Sequence, residues 1–401
     1  MPVKKTYKYA MFALLYFAQG SIMGYFAALN AVYFLDSGLQ MTQAGLIGTI
    51  AMIPFILKIF LGMLSDKVSL FHLGHRKPYI VIGLVLQSIC LFIYMTISPS
   101  ANFPLYAGFA LLLMTGMALY DTCTDGYALD STPVEDEGLV QGLMVGGRAA
   151  GTVIVGGLGF VAQHWGWNAV FIVLAVITLL PLPLVLFAMR EEKRTIERAF
   201  EWKAFGAFKR RPLIALGLLG ALYSFCIYGA YEIVAPALST QFAMEVGPTS
   251  LIISAWGIGV VAGGLIGGKL SQKVGLKTSV TGAVIAAFGA TLFLAFFLTP
   301  AIAWFVVPIF GIAFGYYETL YFALAMRQTD TRIAASMYAI LMAVANIGTG
   351  IGLGLTGVMV DGLGYRVAFI VLACANVLAF PLLNMMYGNK STPVNAPEPE
   401  I

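Results

Sequence analysis

Long apolar segments, separated by short polar breaks, run through almost the whole chain. About 20 apolar residues are enough to cross a bilayer as an α-helix. The hydropathy pattern predicts twelve such spans, at 8–34, 43–65, 78–98, 103–129, 139–163, 167–189, 212–240, 249–271, 277–299, 301–327, 333–360 and 365–388. The expected fold class is therefore an all-α polytopic membrane protein with twelve transmembrane helices.

The composition excludes the common soluble classes. Hydrophobic residues make up 60% of the 401 positions and charged residues only 10%, whereas a soluble domain carries about 25% charged residues. The mean hydropathy is +0.87. A soluble enzyme, a disordered chain and a coiled coil are all inconsistent with these values. The first apolar run, which follows Lys4, Lys5 and Lys8, is too long for a cleavable signal and is expected to remain as an anchor.

Lysine and arginine are concentrated on one side of the predicted membrane. When the twelve spans alternate in direction, all but three of the 23 basic residues fall on the side that holds both termini. The exceptions are Lys58 and Arg148, inside spans, and Arg366, on the other side. The positive-inside rule then predicts cytoplasmic termini in a cell (inner or plasma) membrane. This distribution accounts for the net charge of +4 without a nucleic-acid partner.

The longest internal polar segment divides six spans from six. It predicts an N-terminal six-helix half at 1–189, a cytoplasmic linker with an amphipathic helix at 190–211, and a C-terminal six-helix half at 212–388. Charged residues alternate with aromatic residues in the linker, as in helices that lie on a membrane surface. Residues 389–401 contain three prolines and no apolar pattern, so a disordered cytoplasmic tail is expected.

The two halves share short sequence motifs in the same order. Gly62-Met-Leu-Ser-Asp66 after span 2 is similar to Gly268-Lys-Leu-Ser-Gln272 after span 8. Two further matches pair Gly116 in span 4 with Gly311 in span 10, and Gly166 with Gly364 before spans 6 and 12. All three offsets are close to half the chain. An internal duplication is the simplest explanation.

Two six-span halves in parallel repeat resemble the major facilitator superfamily. The loop Gly62-x-x-x-Asp66-Lys67 … Gly74-His-Arg76-Lys77-Pro78 is similar to the signature of that superfamily between spans 2 and 3. The resemblance implies alternating access, with Asp66, Lys67, Arg76 and Lys77 as gating residues that hold the cytoplasmic side shut. The second copy of the loop has Gln272 in place of Asp66, so the N-terminal copy is the expected gate.

A narrower resemblance rests on strings in spans 1 to 5. These strings are Tyr16-Phe-Ala-Gln19-Gly20, Pro54-x-x-x-Lys58, Asp121-x-x-x-Asp125-x-x-x-x-Asp130-x-x-Pro133 and Gly147-Arg148. They resemble the branch that contains muropeptide permeases (AmpG-like), acetyl-CoA transporters and folate–biopterin transporters. The resemblance covers less than half of the chain.

Several charged residues fall inside predicted spans, where each costs about 2.5–3.5 kcal/mol on insertion scales. Counting at about 1.5 Å per residue places Lys58, Asp121, Arg148 and Glu318 at similar depth, near the midplane. Two interpretations remain open. In one, the charges lock helices together, with Asp121 and Arg148 as a static pair between spans 4 and 5. In the other, Lys58 or Arg148 holds an anion while an acid changes protonation.

Three acids are candidates for proton coupling. Glu318 is deep in span 10 with no basic neighbour within one turn of sequence, which makes it the first choice. Glu232, in the outer half of span 7, is the next candidate. Asp125 lies closer to the cytoplasmic end and shares a helix face with Asp121.

The superfamily lines its cavity with helices 1, 4, 7 and 10, which supplies further candidates. Tyrosine suits a site that packs a ring and donates a hydrogen bond, although packing tyrosines in a helix core have the same appearance in sequence. The substrate-binding residues that we predict are Gln19, Asn30, Lys58, Asp121, Arg148, Tyr228, Tyr231, Tyr317 and Tyr321.

These observations predict a secondary transporter for a small or medium organic solute, expected to be anionic and proton-coupled. No catalytic constellation, metal spacing or cofactor motif is present in the sequence, so neither an enzyme nor a cofactor is expected. The expected partners are the solute, protons and the lipid bilayer, and the expected functional unit is a monomer. The alternative is a non-transporting membrane assembly or binding factor built on the same fold. A membrane-embedded transferase is disfavoured because no catalytic cluster is present.

Overall fold

The computed structural model describes residues 5–70, 74–133, 136–191, 206, 209–328 and 334–387. Within them are twelve helices that are long and apolar enough to span a membrane. The helices are α1 (Lys5–Asp36), α2 (Met41–Lys67), α3 (Lys77–Tyr94), α4 (Phe103–Ser131), α5 (Leu139–Trp165), α6 (Trp167–Ala188), α7 (Arg211–Gln241), α8 (Val246–Val274), α9 (Leu276–Phe297), α10 (Ala303–Arg327), α11 (Met337–Leu363) and α12 (Tyr365–Tyr387). The predicted twelve-span fold is confirmed. Most of the predicted linker helix at 190–211 and all of the predicted tail at 389–401 lie outside the described residues.

In two helices, an interruption near a proline lies beside an ionisable residue. A proline within a helix donates no N–H, and its ring clashes with the carbonyl four residues earlier. In α2, Pro54 precedes a break at Leu57 (φ −86°, ψ 4°), directly before Lys58. In α7, Pro236 would clash with the Glu232 carbonyl, and the helix is interrupted at Ile233 (φ −92°, ψ −1°). Local backbone chemistry thus places Lys58 and Glu232 beside helix breaks.

Glycines bring helices of each half into close contact. A Cβ atom added at Gly20 of α1 would lie 2.1 Å from the carbonyl oxygen of Arg148 on α5. One added at Gly348 of α11 would lie 2.1 Å from the Ala221 carbonyl oxygen on α7. Small residues of this kind let transmembrane backbones approach closely. The α1–α5 and α7–α11 pairs are therefore tightly packed parts of the N-terminal and C-terminal halves.

The two halves are joined at one end of the bundle, which we call the distal side because it lies opposite the N-terminal end of α1. Here the Asp361 carboxylate of α11 accepts the backbone N–H of Thr42 at 2.6 Å, at the start of α2. Farther down the same pair of helices, Asn346 donates its side-chain N–H to the Phe55 carbonyl at 3.3 Å. Asp361 thus supplies negative charge at a helix N-terminus, where it is stabilising.

A second line of contacts joins α5 to α8 on the distal side. Gln163 donates to the Glu245 carboxylate at 2.8 Å, and Ser254 donates to the Val153 carbonyl at 2.9 Å. Together with the α2–α11 contacts, these bonds form what we call the distal seam. Among the residues that the structure describes, no hydrogen bond joins the halves on the other side of Phe55 and Val153. The halves are thus held together on the distal side, and we call the opposite side, which holds the N-terminus, the terminal side.

Candidate functional site

A lysine and two carboxylates form a charged cluster just below the distal seam. The ammonium group of Lys58 lies 2.5 Å from the Asp121 carboxylate and 3.1 Å from that of Asp125. Asp121 also accepts a hydrogen bond from the Gln19 amide at 2.7 Å, and Asp125 accepts one from the Tyr16 hydroxyl. The interruption of α2 beside Lys58 coincides with this cluster between α1, α2 and α4.

The cluster differs from the pair that the sequence favoured. We expected Asp121 to pair with Arg148 because their spans are adjacent in the chain. In the structure, Lys58 is the hydrogen-bonded partner of Asp121, and Arg148 acts on it only as a weaker electrostatic neighbour. The reason is packing: α5 lies against α1 and α8, so Arg148 is not held on the face of α4 that carries Asp121.

Arg148 instead faces the C-terminal half. Its guanidinium interacts electrostatically with Glu318 on α10, with Tyr228 on α7 and with Tyr16 on α1. Glu318 accepts hydrogen bonds from the hydroxyls of Tyr228 at 2.9 Å and Tyr223 at 3.2 Å. Glu318 has no basic neighbour within one turn of its own helix, but in three dimensions Arg148 of the other half is an electrostatic partner.

The side chains of this region contact an open cavity despite their position in mid-span. Arg148 is exposed, Asp125 is 39% exposed and Lys58 is 32% exposed, whereas Asp121 is buried. With all five charged groups ionised, the cavity holds two cations and three carboxylates, counting Glu318, and so carries a formal charge of −1. This arrangement can exchange the partners of its two cations when a solute or a proton enters.

The other predicted binding residues divide between the cavity and the core. Tyr228 lies beside Glu318, but Tyr231 is buried with its ring stacked on Trp256 at 3.8 Å. Tyr317 and Tyr321 are also buried, and both pack against Tyr223. Asn30 is buried in α1, with no hydrogen bond at its carbonyl oxygen among the described residues. The structure thus places these four side chains in packed regions.

Two residues beside the charges were missed by the sequence analysis. Tyr16 donates to Asp125, and Tyr223 donates to Glu318. Tyr16 belongs to the Tyr16-Phe-Ala-Gln19 string, and its spacing of three residues from Gln19 places both on one face of α1. That spacing could have predicted Tyr16. No comparable signal distinguished Tyr223 from the other tyrosines of α7 and α10.

A second charge network lies on the terminal side, within the N-terminal half. The guanidinium of Arg76 lies 2.5 Å from Asp66 and 3.8 Å from Asp130, and it donates to the Ser65 hydroxyl at 2.5 Å. A Cβ atom at Gly126 would lie 2.5 Å from the centre of that guanidinium, so a larger residue there would displace it. The network joins α2, the start of α3 and α4.

The other predicted gating lysines are placed differently. Lys77 donates to the Leu186 carbonyl at 2.7 Å, at the end of α6, and Lys67 is exposed. The Glu191 carboxylate accepts the backbone N–H groups of His75, at 2.6 Å, and Arg76, at 2.7 Å, at the start of α3. Among the described residues, these contacts lie within the N-terminal half and the first residues of the linker.

Comparison with known proteins identifies the family to which this architecture belongs. The sequence profile of the Major Facilitator Superfamily matches residues 11–344 of the chain. The chain belongs to the major facilitator superfamily. It is accordingly a multi-pass membrane transporter of organic solutes and not an enzyme.

Two relatives in this superfamily show sequence similarity. The chain is 26% identical to the sialic acid transporter NanX of Escherichia coli (strain K12) over 263 residues, which cover 63% of this chain and 62% of NanX. The match thus spans less than two thirds of that relative. The chain is 22% identical to the putative transporter AmpG 2 of Rickettsia typhi over 387 residues, which cover 92% of this chain and 91% of the relative.

Solved superfamily structures have the same fold. A bacterial homologue of the human lysosomal transporter Spinster, inward-facing and unoccupied, superposes with a TM-score of 0.75 at 16% identity, over 97% of this chain and 98% of its own. The nucleoside transporter NupG superposes with a TM-score of 0.74 at 16% identity, over 96% of this chain and 99% of its own. Identity this low supports the fold alone.

Proposed function

We propose that this transporter carries an organic anion together with a proton across a cell (inner or plasma) membrane by alternating access. The observation that carries the proposal is an exposed cation in mid-span, Arg148 of the N-terminal half, whose strongest electrostatic partner is Glu318 of the C-terminal half. The positive-inside distribution supports cytoplasmic termini, and the terminal side then faces the cytoplasm. Because the distal seam joins the halves while Arg148 is exposed below it, the proposed conformation is inward-open.

An anion can enter by exchanging partners with Glu318. A carboxylate or phosphate on the solute binds Arg148, whose planar guanidinium presents paired donors to such groups. Glu318 then loses its counter-charge and takes a proton, while the hydroxyls of Tyr223 and Tyr228 stay within hydrogen-bond distance. The cavity already carries a formal charge of −1, so binding a monoanion alone would change that charge to −2, whereas binding a monoanion with a proton keeps it at −1. Charge balance therefore favours anion and proton entering together.

The comparisons support an organic acid as solute. NanX is named a sialic acid transporter, and sialic acids carry a carboxylate. The relative that matches over most of both chains is named a putative AmpG transporter. We accordingly propose carboxylated sugars and muropeptides as the first solutes to screen, by the shift that each causes in thermal unfolding of the purified protein.

The test of anion binding uses Arg148 variants and the solute found in that screen. Arg148→Ala should abolish binding, and Arg148→Lys should restore it only in part because lysine lacks the planar fork. Arg366→Ala is the matched control, since Arg366 lies over the Phe296 ring, with 4.7 Å between guanidinium carbon and ring centroid, outside the cavity. Binding by Arg148→Ala at wild-type affinity would exclude the proposed site.

Proton coupling is tested at Glu318 in proteoliposomes with and without a pH gradient. Glu318→Gln should bind the solute and exchange it across the membrane but fail to accumulate it, because glutamine mimics the protonated acid. Accumulation by this variant would place the coupling proton elsewhere. Binding by the wild-type protein without any transport would favour the alternative, a binding factor that uses the same fold.

A further inference from the structure

Glu232 is a buried acid that the exchange at Arg148 does not use. It is the last residue of the main segment of α7, directly before the interruption at Ile233, and its side chain is 4% exposed. Its Oε2 atom has no hydrogen-bond partner, and none of the described residues forms an ion pair with it. An isolated ionised carboxylate in such surroundings is very costly, so the group is held neutral.

The location of Glu232 ties it to the distal seam. A Cβ atom added at Gly48, on α2 of the other half, would lie 3.3 Å from its Oε1 atom. The same Cβ would lie 2.9 Å from a methyl carbon of Leu353 on α11. Beside it, a Cβ at Gly45 would lie 2.4 Å from the Leu353 carbonyl oxygen. Glu232 is therefore enclosed by a tight contact between the two halves.

The surroundings offer no compensating charge. Ionisable residues around this part of α7 include Tyr25, Tyr33 and Asp36 on α1, Lys58 on α2, Tyr223, Tyr228 and Tyr231 on α7, Glu245 directly before α8, Tyr317 and Glu318 on α10, Asp361 on α11, and Tyr365 and Arg366 on α12. Lys58 is ten residues along α2 from Gly48, about 15 Å of helix, and Asp361 is eight residues from Leu353, about 12 Å. Desolvation thus acts on Glu232 without a nearby ion pair.

We infer that Glu232 is a proton-binding residue whose protonation is required for the distal seam to close. Opening the seam moves α2 away from α7 and α11, which lets distal water reach the carboxylate and allows it to ionise. Closing the seam over an ionised Glu232 would bury an unpaired charge. The outward-to-inward step therefore takes up one proton at this residue. The inference rests on the alternating access of the proposed function but not on the identity of the solute.

The test measures the seam directly, without solute. Spin labels at Ser37→Cys and Ala301→Cys, in distal loops of the two halves, report the distance between the halves in the full-length protein with its native cysteines replaced. In the wild-type background, lowering the pH from about 8.5 to about 5.5 should convert long distances into short ones. One linked proton changes the ratio by at most about tenfold per pH unit.

Variants of Glu232 show whether this residue causes the pH-dependent change in distance. Glu232→Gln should give the short distance at every pH, whereas Glu232→Asp should keep a pH-dependent distance. Glu232→Met, which is apolar and of similar length, is a second neutral variant for the case in which glutamine prevents folding. Asp36→Asn is the matched control and should retain the response, because Asp36 is an exposed distal acid that accepts a hydrogen bond from the Trp167 side chain of the same half. A wild-type response in both neutral Glu232 variants, or its loss in Asp36→Asn alone, would overturn the inference. Proton-coupled accumulation could still operate through Glu318, so failure here leaves the proposed function standing.

Discussion

The α2–α4 pair and the α8–α10 pair occupy equivalent places in the two halves but are held together by different forces. Lys58 and Asp121 join α2 to α4 through an ion pair of 2.5 Å. Between α8 and α10, backbones meet directly: a Cβ at Gly263 would lie 2.0 Å from the Ile312 carbonyl oxygen, and one at Gly315 would lie 1.9 Å from that of Val260. One pair depends on charge and the other on van der Waals packing.

This difference assigns distinct mechanical roles to the halves. The strength of an ion pair changes when either partner gains or loses a proton or meets a charged solute, whereas glycine packing does not respond to either. The α2–α4 pair can therefore be rearranged during transport. The α8–α10 pair is a rigid support that holds Glu318 in the cavity opposite Arg148.

Lys58→Ala should have the largest effect on the charged pair. It leaves Asp121 buried without a counter-charge, and removing one partner of a buried pair costs about 3–5 kcal/mol. We expect the free energy of unfolding to fall by about 3 kcal/mol, the lower end of this range, because Lys58 is partly exposed. The measurement is the thermal unfolding midpoint in detergent. The double variant Lys58→Ala/Asp121→Asn should recover part of the loss, and a double variant as unstable as the single one would contradict an electrostatic origin.

Gly263→Ala tests the packed pair. Its Cβ would collide with the Ile312 carbonyl, so α8 and α10 must separate, at a cost of about 1–3 kcal/mol. Gly268→Ala is the matched control on the same helix, since nothing lies within 4 Å of that added Cβ. The control should be neutral or slightly stabilising because alanine favours helix. Equal unfolding midpoints for the two variants would show that the close approach does not exist.

Asp66→Asn and Gln272→Asn together compare how much the terminal-side loops of the two halves contribute to stability. The carboxylate is 25% exposed and lies 2.5 Å from Arg76, so its loss should cost about 1 kcal/mol. Gln272→Asn, at the corresponding exposed position of the C-terminal half, should change stability by less than about 0.5 kcal/mol. A shift toward inward-open in Asp66→Asn is not expected, because the Asp66–Arg76 pair is already intact in the conformation that we propose to be inward-open. Increased cysteine labelling of the terminal side would show that it also bridges the halves when closed.

The smallest effect concerns Asp136, in the loop between α4 and α5. Hydrogen bonds from Lys5, at 2.8 Å, and Tyr9, at 2.6 Å, lower the pKa of Asp136 from its ordinary value of 3.8. Because the folded pKa is below the unfolded one, the stabilisation is present above about pH 4 and is lost as the pH falls through the folded value. Unfolding midpoints of Asp136→Asn and the wild type should therefore differ at neutral pH and converge in acid. If the difference between the two unfolding midpoints grew as the pH fell, the pKa of Asp136 would not be lowered by folding.

The number of spans and the duplication followed from the sequence. The thickness of the bilayer fixes the length of an apolar helix, so hydropathy alone predicts twelve spans. The largest disagreements at helix ends are four residues, at α3, which stops at Tyr94 rather than 98, and at α11, which starts at Met337 rather than 333. Asp66 and Arg76 were named from the resemblance of their loop to the superfamily signature, and the structure pairs them.

The partners of Lys58, Arg148 and Glu318 were decided by tertiary structure. Chain order made spans 4 and 5 neighbours in sequence, but α5 packs on α1 and α8, and so Arg148 approaches Glu318. Even duplicated residues differ: a Cβ at Gly116 would lie 2.7 Å from the Gly83 carbonyl oxygen on α3, whereas one at Gly311 would lie 2.3 Å from that of Trp256 on α8. Apolar runs specify that a helix crosses the membrane. They leave open which helix adjoins it and how far it is rotated about its axis, and the contacts of each charge depend on both.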